Sequence, residues 1–185
     1  MNKFPRSAYV HIPFCHRRCF YCDFAVIPLG NKVETLQGYG SKTVKEYLHF
    51  LYKEILSIKH KSSLSTIYVG GGTPSILDPQ QIKQLIDLFK ENYGVDYGAE
   101  ITMEVDPASF NLDDLHGFIN AGINRFSLGV QSFNNQILQK SGRRHLREDA
   151  EKSCLWLKRV FGSGLIRSWS LDLIQNLPLS GFKEW

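Results

Sequence analysis

The amino-acid sequence predicts an α/β fold in which helices cover a parallel β-sheet. Three observations support this fold class. Short segments rich in β-branched and aromatic residues alternate with amphipathic helical patterns, which is typical of parallel sheets with right-handed crossovers. Glycine follows several of these segments, where the chain has to turn. The chain has 185 residues, of which 43% are apolar, and this is enough to form the core of one domain.

The predicted strands and helices alternate regularly. The strands cover 7–12, 64–72, 99–107, 123–131 and 166–178, and the helices cover 43–60, 78–94, 111–122, 134–142 and 146–162. The second helix is well defined, because Asp78 and Pro79 form a typical start and Gly94 a typical end. Segment 13–42 predicts a long loop, and such loops in compact domains are usually functional or mobile. Residues 181–185 predict the start of another helix.

Composition and charge argue against several classes of protein. No segment approaches the roughly 18 apolar residues of a membrane span. The first residues lack the apolar core of a secretory signal, so we expect a cytoplasmic protein. The net charge of +4 is mild, and its basic residues gather at Arg17 and Arg18 and within 142–149. These groups indicate either solvated surfaces or attraction to anionic ligands, and no basic and aromatic pattern predicts binding to nucleic acid.

Three of the four cysteines lie in one short segment. Cys15, Cys19 and Cys22 have the spacing C-x3-C-x2-C. Because disulfides are rare in a reducing compartment, clustered thiols there predict a metal or redox site. Thiolates favour iron–sulfur clusters or zinc, and zinc would need a fourth ligand such as His11 or His16. Three thiolates on a [4Fe–4S] cluster would leave one iron open to a small molecule, and a coincidental spacing is a third interpretation.

The segment YVHIPFCHRRCFYCDF around these cysteines resembles the signature of radical S-adenosylmethionine (SAM) proteins. More narrowly, it is similar to the family of oxygen-independent coproporphyrinogen III oxidases (HemN) and their heme-chaperone relatives (HemW). Further motifs follow in that family's order: YVGGGTPS (68–75), MEVDPASF (103–110), GINRFSLGVQSFN (122–134), GRRH (142–145) and WSLDLIQNLP (169–178). The resemblance implies a radical SAM core, an incomplete parallel (β/α) barrel of about five strands with helices on its outer face.

The resemblance also implies the cofactors. Cys15, Cys19 and Cys22 would ligate a [4Fe–4S] cluster, and the amino and carboxylate groups of SAM would chelate its open iron. The chemistry of the family is reductive cleavage of SAM to a 5'-deoxyadenosyl radical. Cys154, on the apolar face of a predicted helix, is interpreted as a core residue instead.

Other residues match SAM-contact positions of the family. The amide groups of Gly71, Gly72 and Thr73 would bind the methionine end of SAM, because glycines let a backbone approach a ligand closely. Glu104 would accept hydrogen bonds from the ribose hydroxyls or the ammonium group. The remaining matched positions are Tyr9, Tyr21, Gln131, Arg143 and Asp172.

The order of the motifs gives a second reason to expect one site. In parallel barrels, functional residues lie at the carboxyl ends of the strands. The cysteine segment follows the first predicted strand, the glycines follow the second, and Glu104 and Gln131 end the third and fourth. These side chains should therefore share one rim of the sheet. Tyr9, early in the first strand, is the exception, and His11 is interpreted as a hydrogen-bonded structural residue.

The residues after the third cysteine favour the heme-chaperone branch. The oxidase branch carries a fourth cysteine two residues later, whereas this chain reads Cys22-Asp23-Phe24. We therefore expect a cluster- and SAM-binding chaperone that binds heme and delivers it to membrane respiratory enzymes. The alternative is an oxidase that decarboxylates the propionates of coproporphyrinogen III, so whether the chain is an enzyme stays open. Either would take electrons from a donor such as ferredoxin or flavodoxin.

The same resemblance implies that residues 1–185 are the N-terminal part of a longer protein. The family completes a partial barrel of six strands and adds a tetrapyrrole-facing C-terminal domain, and neither is present in this sequence. A second alternative is therefore an inactive fragment that binds a cluster poorly. The edge of the fifth strand would leave hydrogen-bonding groups unpaired, which predicts low solubility for the isolated chain.

Overall fold

The structure is a computed structural model that describes residues 4–30, 42–58 and 62–181. The strands are β1 (Ser7–Ile12), β2 (Phe14–Cys15), β3 (Ile27–Pro28), β4 (Leu64–Gly71), β5 (Val95–Val105), β6 (Arg125–Gln131) and β7 (Ser168–Leu173). The helices are α1 (Lys42–Ser57), α2 (Pro79–Asn92), α3 (Leu112–Ala121), α4 (Asn135–Lys140) and α5 (Arg147–Gly162), and a 3₁₀ turn covers Pro74–Ile76. The predicted alternation of strands and helices is confirmed.

The main sheet is parallel throughout. Within the described residues it has the strand order β1-β4-β5-β6-β7, and each neighbouring pair is parallel. The order in space follows the order in the chain, so each crossover adds the next strand on the same side, as in an unclosed barrel. The predicted fold class, an incomplete parallel barrel, is confirmed. Inside the predicted loop 13–42, β2 and β3 form a small parallel pair.

Two strands differ most from their predicted bounds. β5 begins at Val95 rather than at residue 99 and passes through Gly98, which has a φ of 78°. β7 ends at Leu173, and Asn176 then takes a φ of 63°. Residues 174–178 therefore lie outside the sheet, although the strand was predicted to end at 178. Residues 182–185 of the helix predicted at 181–185, and residues 31–41 of the predicted loop, lie outside the described residues.

The helix ends are fixed by local side chains. Asp78 accepts the N–H of Gln80 at the start of α2, and Asn111 accepts that of Asp114 at the start of α3. Gly122 ends α3 with a φ of 109°, a conformation that glycine adopts at low cost. Each of the two N-cap side chains stabilises its helix by about 1 kcal/mol. Among the described helices, none is long and apolar enough to cross a membrane.

The two faces of the sheet differ in polarity. The face under the helices is apolar, and its side chains, for example Met103 and Phe126, are fully buried. The opposite face carries rows of aligned polar side chains: Tyr9, Tyr68, Thr102 and Arg125 in one row, and Glu104, Ser127 and Ser170 in the next. Branched apolar side chains usually fill the interior of a parallel barrel. The polar inner face therefore indicates a site for a polar ligand.

Candidate cofactor site

The three clustered cysteines lie on a loop that backbone contacts hold in place. Cys15 ends β2, which pairs with β3. Cys22 donates its N–H to the carbonyl of Cys19 at 3.1 Å, which closes a turn. Phe20 donates its N–H to the carbonyl of Ser141 at 3.0 Å. The cysteine loop is therefore tied to β3 on one side and to the end of α4 on the other.

A cavity of ≈ 290 Å³ lies beside this loop, at the carboxyl ends of the strands. The predicted site residues that line it are Cys15, Cys19, Tyr21, Cys22, Gly71, Gly72, Thr73, Glu104, Gln131, Arg143 and Asp172. Tyr9, which is also among the described residues, does not line it. The fold thus brings residues that are up to about 160 positions apart in the sequence to one rim of the sheet.

The three thiols are soft donors of the kind that hold iron–sulfur clusters. The described cysteines are free and partly exposed. Within residues 4–30, 42–58 and 62–181, no three His, Cys, Asp or Glu side chains converge closely enough to hold one metal ion. His11, a candidate zinc ligand, instead contacts the Tyr9 hydroxyl at 3.1 Å and the Ala25 carbonyl at 3.2 Å. Thiolates that hold a cluster each bind a different iron, and three thiolates are a donor set that fits such a group.

Two cavity side chains approach the cysteine sulfurs. The Thr73 hydroxyl donates to Cys15 Sγ at 3.4 Å, and Arg143 Nη1 lies 3.9 Å from Cys19 Sγ. Burial raises the pKa of the Cys15 thiol, and the hydrogen bond from Thr73 opposes this shift. Donors and positive charge near sulfur stabilise the thiolate, which is the form that binds metal. The cavity therefore offers electrostatic support for metal-bound thiolates.

Glycines shape the turn after β4. Gly71 has a φ of 120°, and a Cβ there would lie 2.9 Å from the Ile12 carbonyl oxygen. A Cβ at Gly72 would lie 2.6 Å from the Phe14 carbonyl oxygen and 2.9 Å from Cys15 Sγ. Because backbone atoms cannot move aside cheaply, a larger residue would displace the turn or the strands beside it. The turn thus packs directly against the first cysteine.

The amide groups of this turn, which were predicted to bind SAM, have partners within the protein. Gly71 donates its N–H to Glu104 Oε2 at 3.1 Å. Gly72 and Thr73 donate theirs to carbonyls of β1 and β2, each at 2.8 Å. The three amides predicted to bind SAM are therefore occupied within the protein, because buried backbone donors must find acceptors. The turn can still approach a ligand closely, since its glycines have no side chains.

Glu104 is a carboxylate held beside the glycine turn. Its Oε1 accepts from the Tyr68 hydroxyl at 2.8 Å, and its Oε2 accepts from the Gly71 amide. Burial raises the pKa of the Glu104 carboxyl, and the negative charge of Asp172 adds to the shift, although the two hydrogen bonds oppose it. A partly desolvated carboxylate with a fixed orientation is a strong acceptor for hydroxyl or ammonium groups.

Asp172 and Gln131 also line the cavity. Both carboxylate oxygens of Asp172 lie 3.0 Å from the Ser127 hydroxyl, which orients the carboxylate toward β6. Gln131 ends β6 with a φ of 67°, which is uncommon for a residue other than glycine. It also lines a neighbouring cavity of ≈ 570 Å³. Backbone strain of this kind clusters at functional sites. Because Gln131 lines both cavities, it lies between two spaces that ligands could enter.

Arg143 connects the sheet to the cysteine loop. Its guanidinium forms an ion pair with Asp106 and donates to the Gly129 carbonyl at 2.6 Å. Its Nη1 lies 3.5 Å from the Tyr21 hydroxyl on the cysteine loop. Burial by itself lowers the pKa of Arg143, but the charges of Asp106, Tyr21 and Cys19 outweigh it and the pKa is raised. Arg143 therefore provides a permanent positive charge at the cavity.

Tyr9 reaches the cavity residues indirectly. Its side chain is 60% exposed, and its ring stacks on that of Tyr68 with centroids 6.0 Å apart. Tyr68 in turn donates to Glu104. Tyr9 lies in the first half of β1, away from the carboxyl end of the strand, as its position in the sequence predicted. In this structure, Tyr9 can influence a ligand in the cavity through Tyr68.

Sequence reasoning missed four residues that hold the cavity side chains. Tyr68 orients Glu104, Ser127 orients Asp172, and Asp106 and His145 contact Arg143. All four lie within the motifs that carried the resemblance. Strand alternation was an available signal for Tyr68 and Ser127, because residues two positions apart share a face of a strand. The sequence carries no comparable signal for Asp106 and His145, whose contacts depend on how separate loops meet.

Comparison with known proteins identifies the family of this chain. Residues 9–170 match the family model described as Radical SAM superfamily. The heme chaperone HemW of Synechocystis sp. is 40% identical over 98% of this chain and 42% of its own length. HemW of Escherichia coli is 35% identical over 97% of this chain and 45% of its own. The oxygen-independent coproporphyrinogen III oxidase of Salmonella typhimurium is 37% identical over 94% of this chain and 36% of its own.

Solved structures show the same relationship. The E. coli coproporphyrinogen III oxidase HemN, described as a radical SAM enzyme, has a TM-score of 0.80 and 32% identity, covering 98% of this chain and 39% of that one. Elp3 of Methanocaldococcus infernus has a TM-score of 0.51 at 17% identity, which shows a likeness of fold alone. This chain spans less than half the length of these relatives. Since the family model covers most of the chain and its cysteines line the cavity, the chain belongs to the radical SAM superfamily.

Proposed function

We propose that this chain binds a [4Fe–4S] cluster through Cys15, Cys19 and Cys22, and SAM in the adjoining cavity, as the cofactor-binding part of a heme chaperone similar to HemW. The observation that carries the proposal is the cavity in which the three thiols meet the oriented carboxylates of Glu104 and Asp172. Membership of the radical SAM superfamily implies a cluster and SAM.

Different residues of the cavity bind different parts of the cofactors. A bound cluster supplies the electron for reductive cleavage of SAM. Glu104 and Asp172 accept hydrogen bonds from ribose hydroxyls or the ammonium group, and Gln131 adds an amide between them. Arg143 faces the anionic end of the ligand with its permanent charge. The glycine turn lets the backbone approach the ligand without a side chain in the way.

The chaperone is preferred over the oxidase because of the residues after the third cysteine. The chain has Asp23 and Phe24 there, without the fourth cysteine of the oxidase branch. Six of the curated relatives compared are named heme chaperone HemW. The ligand proposed on this basis is heme, whose propionates would be attracted by the exposed Arg17, Arg18 and Arg144.

The oxidase is kept as a second candidate. The Salmonella oxidase is 37% identical to this chain, and the E. coli oxidase superimposes with a TM-score of 0.80. In that case the tetrapyrrole would be coproporphyrinogen III and the chain would be part of an enzyme. Both candidates use the same cofactor cavity, so they differ in what happens to the tetrapyrrole.

The proposed partners follow from the same comparison. Heme is the proposed cargo, heme-accepting membrane proteins are the proposed recipients, and a carrier such as ferredoxin or flavodoxin is the proposed electron donor in the cytoplasm. Residues 1–185 are proposed to be the N-terminal part of a radical SAM core, because the chain spans 42% of the Synechocystis relative.

Anaerobic reconstitution with iron and sulfide tests the cofactor proposal. We expect the reduced protein to give the EPR spectrum of a [4Fe–4S] cluster, and we expect that spectrum to shift when SAM is added. Zinc binding without an iron signal would overturn the proposal. A cluster whose spectrum ignores SAM would favour an inactive fragment.

A second experiment separates the two branches in the longest natural reading frame that contains this chain. Heme binding is followed by optical titration, and loss of carboxyl groups from coproporphyrinogen III is followed by mass spectrometry. Heme binding without decarboxylation supports the chaperone. Decarboxylation that requires SAM would replace it with the oxidase.

A further inference from the structure

An ion pair and hydrogen bonds hold one side of the Arg143 guanidinium. Nη2 forms the ion pair with Asp106, which follows β5, and donates to the Gly129 carbonyl of β6 at 2.6 Å. Nε lies 3.3 Å from Nδ1 of His145, in the loop before α5. The Arg143 side chain is 11% exposed. Because a guanidinium is planar and rigid, these contacts fix the direction in which its remaining nitrogen points.

The remaining nitrogen is held more loosely. Nη1 of Arg143 lies 3.5 Å from the Tyr21 hydroxyl and 3.9 Å from Cys19 Sγ. The contact with the Tyr21 hydroxyl is longer than the common N–H···O distances of about 2.7–3.2 Å, and the contact with the larger sulfur atom is at the long end for a sulfur acceptor. Nη1 is therefore presented to the cysteine loop and the cavity, and its hydrogens can move to a better acceptor there.

His145 is well placed to control this orientation. It is 1% exposed, and its Nε2 lies 3.1 Å from the Val130 carbonyl oxygen. A carbonyl can only accept, so Nε2 carries the ring hydrogen and Nδ1 is left as the acceptor for Arg143. Burial lowers the pKa of His145, which favours this neutral form.

We propose that His145, together with Asp106, is a positioning residue that aims Nη1 of Arg143 at Cys19 and at an anionic ligand in the cavity. The inference rests on the proposed function, because it takes Cys19 as a cluster ligand and SAM as the occupant of the cavity. The ligand group that suits Nη1 is a carboxylate, since Arg143 offers a fixed charge and paired N–H donors. His145 does not touch the ligand and acts through Arg143.

Two substitutions separate the two ring nitrogens of His145. His145→Asn keeps an acceptor near the place of Nδ1, whereas His145→Gln keeps a donor near the place of Nε2. The Val130 carbonyl also accepts the Ser132 N–H at 2.8 Å, so it keeps a partner in either variant. His49→Gln, on the exposed surface of α1, is the matched control.

The first readout is the affinity for SAM of the anaerobically reconstituted protein, measured from the EPR shift. We expect His145→Gln to weaken SAM binding roughly tenfold, the scale of losses when a supporting residue is removed from a metal site. His145→Asn and His49→Gln should stay close to the wild type. Iron content should be unchanged, because the cysteines are intact. In an Arg143→Lys background, His145→Gln should cause no further loss, since neighbouring residues that act together are not additive.

The second readout needs no cluster. Hydrogen exchange of residues 16–23 in the cluster-free protein should speed up in His145→Gln and not in His145→Asn, because Arg143 then holds the cysteine loop less firmly. If His145→Gln lowers thermal stability while SAM affinity and loop exchange match the wild type, the positioning role is wrong. If the wild-type spectrum ignores SAM, the proposed function fails by itself, and the exchange comparison still decides the role of His145.

Discussion

The chemistry of Glu104 depends on the side chain and the backbone amide that contact it. The Tyr68 hydroxyl and the Gly71 amide hold its two oxygens, yet burial keeps the pKa of the carboxyl above its ordinary value of 4.5. The ligand-free protein thus retains a carboxylate that water would solvate better. A residue held in this way is prepared for a ligand with hydroxyl or ammonium donors.

The raised pKa of Glu104 gives a prediction about stability and pH. Between 4.5 and the folded-state pKa, the folded protein binds more protons at Glu104 than the unfolded chain does. The contribution of this residue to the free energy of unfolding is therefore fully present below 4.5 and falls as pH rises through the folded-state pKa. We expect the free energy of unfolding of the wild type, minus that of Glu104→Gln, to decrease between about pH 4 and about pH 8 in urea titrations. An increase of this difference with pH would contradict the prediction.

The cysteines provide a second prediction for single residues. Cys19→Ser should reduce the iron content of the reconstituted protein from about four atoms per chain to well below one, because serine is a poor ligand for cluster iron. Cys154→Ser, in α5, is the matched control, since Cys154 does not line the cavity. We expect the control to retain its iron and lose about 1 kcal/mol of stability. Equal iron loss in both variants would refute the ligand assignment.

At the scale of elements, the cavity is built where a strand end, a glycine turn and the cysteine loop touch. The turn after β4 uses its amides to join β1 and β2, and the loop carrying the cysteines packs against Gly142, where an added Cβ would lie 3.3 Å from the Phe20 ring. Close backbone approach thus sets the position of the thiols. The addition of one methyl group at the turn should therefore displace a cysteine and weaken binding of the cluster.

Gly72→Ala tests this coupling. The added Cβ would meet the Phe14 carbonyl oxygen at 2.6 Å and Cys15 Sγ at 2.9 Å. We expect a loss of about 1–3 kcal/mol in the free energy of unfolding, together with lower iron content, because the backbone must shift. Gly162→Ala, in α5, has open space around its Cβ and should be neutral or stabilising by up to about 1 kcal/mol. Denaturant titration and iron analysis check both variants, and an unchanged Gly72→Ala protein would show that the turn is more adaptable than its geometry indicates.

At the scale of the whole molecule, the sheet has two free edges within the described residues, β1 and β7. Leu171 and Leu173 of β7 are 38% and 43% exposed. Leu171 aligns with the fully buried Leu128 of β6, so this exposed strip continues the apolar face that the helices cover elsewhere. An edge strand with exposed apolar residues tends to associate with other chains.

We therefore predict that the isolated chain self-associates through β7. The double substitution Leu171→Lys and Leu173→Lys should raise the monomer fraction in sedimentation experiments, because lysines on an edge strand oppose pairing. Phe50→Lys is the control, since Phe50 is 65% exposed on α1, away from this edge. A wild-type chain that stays monomeric at high concentration would contradict the prediction.

Local sequence patterns predicted most of the architecture. Strand and helix periodicities are short-range signals, so the alternation, the parallel sheet and the cap at Asp78 could be read directly. The spacing of Cys15, Cys19 and Cys22 was equally local. The strand ends were predicted less well, because pairing with the neighbouring strand decides where β5 begins and β7 ends, and periodicity does not reveal that pairing.

The sequence by itself determined that a parallel sheet would carry three clustered thiols and polar residues at its strand ends. Tertiary structure decided how these groups are used. The Gly71 amide donates to Glu104, and the Ser127 hydroxyl orients Asp172. Arg143 donates to His145. Strand register and the meeting of separate loops create these contacts. Their partners lie on different elements, where no local periodicity connects them, and so they become visible when the sheet is assembled.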